Sequence, residues 1–305
     1  MRLLCSVSLA VLAAVPRAGA AVNVVATTED LAVLAREVGG DRVKVEALAR
    51  GYQDPHFVEA KPSLILKLHS ADLLVLVGRE LEIGWLPPLI QQSRNAKVQA
   101  GAEGYLDASL SVKILEIPTG QITRAMGDVH PLGNPHYWLD PGNGRHVAKA
   151  IVDKLSRMAP ADAGYFVSRY ADFDKRLAEA EKRWDALMAP YKGVKIVTYH
   201  RSWPNFTDRF GLDVVGYVEP KPGIPPSPRH TLALIAEMRR LSVKIIVVEP
   251  YFDLKTPNSV ARETGARVLV LAPSVGAEPK VTDYIKLFDH DVNLVVSAIK
   301  DTGSP

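Results

Sequence analysis

The sequence predicts an α/β fold of two lobes, each with a parallel-rich sheet covered by helices. Short apolar, β-branched runs alternate with helix-like segments in both halves, the pattern of strands buried on two faces. A long helical stretch separates the two sets of strands. The roughly 285 residues left after a leader also exceed what one hydrophobic core comfortably holds.

Residues 1–20, MRLLCSVSLAVLAAVPRAGA, combine Arg2, an apolar run from Leu3 to Val15, and small residues at Ala18, Gly19 and Ala20. This reads as a secretory signal cut near Ala20 or Ala21, because the apolar run is short of the roughly 20 residues needed to span a bilayer. Cys5, the single cysteine, lies inside it and too early to be a lipidated cysteine. The expected product is exported, periplasmic, not lipid-anchored, and free of thiols and disulfides. Residues 1–20 hold two arginines and no acid, so their removal leaves Lys+Arg and Asp+Glu almost balanced. That balance argues against a nucleic-acid surface or an acidic tail.

The first lobe is placed at 21–141, with strands at Val22–Ala26, Val43–Ala47 and Leu73–Val77 and helices near 28–38 and 61–70. A linking helical segment takes 142–190, broken near MAPADAGY (158–165). From Asp162 to Met188 it contains no proline, and at ~1.5 Å per residue it reaches roughly 40 Å, enough to cross between lobes. The second lobe, 191–305, has strands at Val194–Thr198, Val214–Tyr217, Val243–Val248 and Val268–Leu271. EPKPGIPPSPRH (219–230) carries prolines at 220, 222, 225, 226 and 228, which favour a stiff extended segment that either shapes a cleft mouth or is a rigid loop without a direct role.

Eight histidines need sorting. His69 fits helical packing. His146 falls in the first turns of a helix that Asp140 can cap, His230 follows a helix start with Ser227 as cap, and His290 sits among charges. His56 in GYQDPHFVEAKPS, His136 in GNPHYWLDP and His200 in VKIVTYHRSW differ: two follow proline, and the third ends an apolar strand. Proline disfavours a helix there and fixes the chain that presents the ring. Loops after strands are where open α/β sheets gather ligands, so the three rings can converge. Their wide spacing is unlike a zinc finger and does not by itself prove a site.

DPHFVEAKPS, GNPHYWLDP and TYHRSW, followed by FGLDVVGYVEPKPG and VKIIVVEP, resemble the metal-binding proteins of ABC importers for zinc and manganese, the ZnuA/TroA type. The likeness runs in order through nearly the whole mature chain. It implies two similar lobes joined by one rigid long helix, with a single metal in the cleft. It implies a monomeric receptor, not an enzyme, that hands its ion to a membrane permease and its ATPase. By motif, the ligands are His56, His136 and His200, with a carboxylate before the last helix. Asp283 is the choice, although the family acid stands two positions before the tyrosine matched by Tyr284, where this chain has Thr282. Glu278, Glu249 or a water are rivals. Glu59, Asp140 and Glu249 are the expected outer residues that orient the rings.

Three neutral imidazoles and one carboxylate suit zinc, one ion per chain, whereas manganese prefers more oxygen donors. Capture should weaken as pH falls through the imidazole range near ~6.5. The long histidine-rich loop of many zinc members is missing: TGQITRAMGDVHPLG offers only Asp128 and His130, and His130 is expected to stay uncoordinated. The alternatives are a manganese-binding member, a structural metal module, or a zinc hydrolase with Glu249 or Asp283 as base, although no HExxH motif is present. A helix across the junction predicts modest loop movement around His200 and Asp283 on metal loss, not wide domain opening.

Overall fold

The computed structural model describes residues 21–303 apart from Gln121, Arg124, Ala125 and Asp128; the leader read at 1–20, and Asp128, lie outside the described residues. In the first lobe the order is β1 (Val22–Ala26), α1 (Glu29–Gly39), β2 (Val43–Ala47), α2 (Pro62–Ser70), β3 (Leu73–Leu76), α3 (Leu86–Ser93) and β4 (Tyr105–Asp107). The strands form a parallel sheet in the order β2-β1-β3-β4. All four residues of β3 are buried, as an apolar run covered on both faces requires. The short β4, Tyr-Leu-Asp, has no apolar run to announce it and escapes sequence reading.

In the second lobe the order is β5 (Lys195–Thr198), α6 (Pro204–Phe210), β6 (Asp213–Tyr217), α7 (Pro228–Arg240), β7 (Ile245–Val248), α8 (Lys255–Thr264), β8 (Arg267–Val270) and α9 (Tyr284–Thr302). Its parallel sheet runs β6-β5-β7-β8, so second, first, third and fourth strands lie side by side in both lobes. Each order reverses direction beside its first strand, the place where loops splay apart and leave a crevice. The two crevices face one another across the lobes.

Between the sheets run α4 (Pro141–Met158) and α5 (Ala163–Met188). Pro141 at the first position and the Asp140 side chain, which accepts from the Gly142 N–H at 2.8 Å, start α4. The 26 residues of α5 span roughly 39 Å at ~1.5 Å per residue. Phe166, Phe173, Leu177, Trp184 and Met188 line its buried face. They belong to one continuous core that holds Val24 and Leu73 of the first sheet as well as Ile196 and Ile245 of the second. Two smaller cores, around Leu74 and Ile246, fill the outer faces.

Polar ties reinforce this shared core. The Trp184 indole N–H donates to Asp289 at 2.7 Å, and the Trp138 indole to the Pro273 carbonyl at 2.9 Å. Asp30, fully buried in α1, accepts from the Ser274 hydroxyl and the Val275 N–H, and burial pushes its carboxyl up to about 7. Gly144 sits against the Tyr284 ring, where an added Cβ would lie 2.2 Å from a ring carbon. Among the described residues no helix is long and apolar enough to cross a membrane.

Candidate metal centre

Two of the three histidines are presented by the same short device. In Asp54-Pro55-His56, the Asp54 carboxylate accepts from the His56 backbone N–H at 2.9 Å and pairs with its ring Nδ1 at 2.7 Å. In Asn134-Pro135-His136, the Asn134 side-chain oxygen does the same at 3.0 and 3.1 Å. The proline stiffens the turn and the residue before it clamps both backbone and ring. His136 then leads into a single 3-10 turn, Tyr137–Leu139, all three of whose side chains are buried. His200 lies two residues past β5, and its Nδ1 pairs with the Glu219 carboxylate at 2.8 Å.

Asp54, Asn134 and Glu219 present acceptor oxygens, so each Nδ1 carries the proton and each Nε2 keeps its lone pair. One ring nitrogen of each histidine lies within 4.8 Å of those of the other two. The His136 Nε2 is buried and without a hydrogen-bond partner. A buried, unpaired acceptor is costly, and a bound cation would satisfy it.

The electrostatics separate the rings. Burial, and then the neighbouring rings of His56, His200 and His130, hold His136 well below the usual histidine range. Burial also works against charge on His200, but the Glu219 hydrogen bond and the fields of Glu249, Glu219 and Asp54 outweigh it and lift that ring above its ordinary value. Burial resists the charge on Asp54, yet the bonds from His56 leave it below the usual carboxylate range.

The carboxylates expected from the sequence stand elsewhere. Asp283 is not in the histidine cluster: its side chain caps α9 by accepting from the Lys286 N–H at 2.9 Å and pairs with the Lys286 ammonium at 3.1 Å. Standing one place nearer Tyr284 than the family acid makes it the residue before the helix, where capping claims its oxygens. Glu59 is exposed and paired with Lys61 at 3.0 Å. Asp140 is the α4 cap, and neither it nor Glu59 holds a ring. Glu249, fully buried and pushed up to about 7 by that burial, accepts from the Trp203 indole at 3.0 Å and acts on His200 only through its field. The residues that do hold the rings, Asp54, Asn134 and Glu219, were missed. An Asp or Asn immediately before a Pro-His was the available signal for two of them; Glu219, distant in sequence, had none.

His130, expected to stay uncoordinated, stands beside one ring of the cluster: its Nε2 is 3.2 Å from the His56 Nε2. A cavity of about 380 Å³ opens beside the rings, lined by His130, His136, His200, Thr119, Met126 and Pro222 among others. At its side the Asn134 amide donates to Glu116 at 3.0 Å and to the Arg201 carbonyl at 2.8 Å, while Arg201 pairs with Glu116 at 2.9 Å. This network ties the loop of the first lobe to the loop after β5.

Residues 24–298 match the family model for the zinc-uptake complex component A, periplasmic, ZnuA. The high-affinity zinc uptake system protein ZnuA of Yersinia pestis is 25% identical over 293 residues, 92% of each chain. The manganese ABC transporter substrate-binding lipoprotein PsaA of Streptococcus anginosus is 23% identical over 291 residues, 92% of this chain and 90% of its own. A crystal structure of ZnuA superimposes with a TM-score of 0.77 at 23% identity, covering 91% of this chain and 99% of that one. The chain belongs to the ZnuA family of metal-binding, substrate-binding proteins of ABC transporters.

Proposed function

On the premise of that membership, we propose that this protein is a periplasmic receptor that captures one zinc ion per chain and delivers it to the permease and ATPase of an ABC importer. It acts as a monomer and carries out no catalysis. The observation that carries the reading is the set of three imidazoles whose Nδ1 atoms are engaged by neighbours and whose remaining nitrogens converge, one of them buried and unpaired.

Nitrogen-rich, four-coordinate sites suit zinc, and among the described residues no carboxylate joins the cluster as manganese would favour. His56, His136 and His200 are the proposed ligands. Asp54, Asn134 and Glu219 fix their tautomers, and the two carboxylates raise the basicity of the rings they hold. The His56 and His200 side chains are equally exposed at 10% and His136 is more deeply buried, so the ion reaches His136 last. Release needs only that one or two of these bonds be lost, because the lobes beneath share a core.

Competition with a chromophoric chelator tests the proposal. One zinc per chain, bound tightly by the wild type and lost in His136→Ala, supports it. A wild type that prefers manganese to zinc, or a His136→Ala variant that binds zinc equally well, removes its chemical basis.

A further inference from the structure

We propose that His130 is the fourth zinc ligand of this chain and occupies the coordination position that Asp283 leaves by capping α9. The inference rests on the zinc-receptor reading above and deepens it.

The first argument is distance. In a tetrahedral site with Zn–N bonds of about 2.0–2.1 Å, neighbouring ligand nitrogens lie about 3.3–3.4 Å apart. The Nε2 atoms of His130 and His56 are 3.2 Å apart, close to that edge and with both nitrogens facing the same space. Their ring centroids stand 5.3 Å apart, much like the 5.1 Å between His56 and His136 and the 5.4 Å between His56 and His200. His130 is outside the threefold cluster and meets His56 alone, so sharing an ion requires its ring to swing towards His136 and His200.

The second argument is that the ring is held. His130 lies against the backbone at Arg79 while its Nε2 faces His56. Arg79 belongs to an unusual turn after β3: Gly78, Arg79 and Glu80 all have positive φ, 78°, 53° and 64°. Two successive non-glycine residues in the left-handed region are strained and persist only where the surroundings impose them. Here the buried Glu82 carboxylate does so, accepting from Val77 N at 2.7 Å and Gly78 N at 3.1 Å.

The third argument is the course of the chain before His130. Gly127, at φ 77°, packs so closely on the second lobe that an added Cβ would lie 2.3 Å from the Pro222 carbonyl oxygen. Pro222 stands in the proline-rich segment, which turns back on itself through a bridge between Lys221 and Ile224. Met126 and Val129 line a second hollow with Tyr217, Glu219 and Pro220. Met126, Gly127 and Val129 therefore rest on the stiff proline-rich segment of the second lobe. That arrangement positions an imidazole at little entropic cost.

Binding involves no covalent step: a neutral imidazole replaces a water on the ion.

The test uses the purified protein, zinc affinity by chelator competition, and the visible spectrum of the cobalt(II) form, which is intense for four-coordinate and weak for five- or six-coordinate ions. His130→Ala should weaken zinc by at least about tenfold and reduce the cobalt bands, while Asp283→Ala leaves both unchanged. Gly127→Ala should shift both in the direction of His130→Ala, which a merely local role of the histidine would not produce. Circular dichroism of each variant checks that it is folded. If His136→Ala loses zinc but His130→Ala binds as wild type with an unaltered cobalt spectrum, the inference is overturned and the receptor reading survives. If wild type binds no zinc, both fall.

Discussion

The base of the molecule and the rim of its cleft are built on opposite terms. At the base, α4, α5 and α9 bury large side chains in a core common to both sheets, and its buried indoles and carboxylates find partners. At the rim, three imidazoles each have one nitrogen satisfied and one turned towards the others, and the His136 nitrogen is buried without a partner. Trp184, Trp138 and Asp30 in the base are satisfied by the chain itself; the rim needs a cation. The difference teaches where stability and affinity reside. Substitutions in the base should cost folding without touching the site, and those at the rim should do the reverse.

The largest separation is expected from Trp184→Ala. Removing a fully buried indole from the shared core should cost about 3–5 kcal/mol of stability in denaturant melts while zinc affinity of the folded fraction stays within about twofold. A comparable loss of zinc binding would break the comparison. Next comes His136→Ala, which should weaken zinc by about a hundredfold or more, close to 3 kcal/mol, and leave the melt of the metal-free protein nearly where it was. Then Glu219→Gln, which keeps the shape but removes the charge behind His200, should cost about 10–100-fold in zinc affinity. An unchanged affinity would show that Glu219 serves only to pack.

Acid gives a smaller, graded effect. His200 is the ring whose titration lies above the ordinary value, so protons compete with zinc there first. At pH above that titration affinity should be flat, and below it should fall about tenfold per pH unit for one competing proton. In Glu219→Gln the onset should move to lower pH, because the main influence raising His200 is gone. Affinity that is flat through pH 6 in wild type would contradict this. The smallest expected effect is geometric: solution scattering of metal-free and zinc-loaded protein should be nearly superimposable, since α5 and the common core resist rotation of the lobes.

Much of the fold was legible because parallel strands are short apolar runs, as in β1, β3, β5 and β7, while the edge strand β2 shows alternation instead. β4 was not, because three residues held on a sheet edge by pairing with β3 need no hydrophobic signature. The break between the linking helices was visible in MAPADAGY, where Pro160 follows the end of α4. His56, His136 and His200 were legible from their settings, two after proline and one after a strand. The acids were not, since a carboxylate before a helix looks the same whether it caps or coordinates, and only its neighbours decide. Asp283 and Asp140 both cap. His130 was set aside as a loop residue because nothing in its local sequence discloses that Gly127 lies against Pro222, almost a hundred positions away.

Asp54 and Glu219 together have a consequence beyond holding rings. Each is a carboxylate in contact with an imidazole, so with neutral rings the vacant cleft carries two negative charges, the number a divalent ion brings with it as positive ones. A bound divalent ion then balances the charge of these two carboxylates. On the receptor reading proposed above, a partner docking at this rim would meet a less negative surface when the ion is bound.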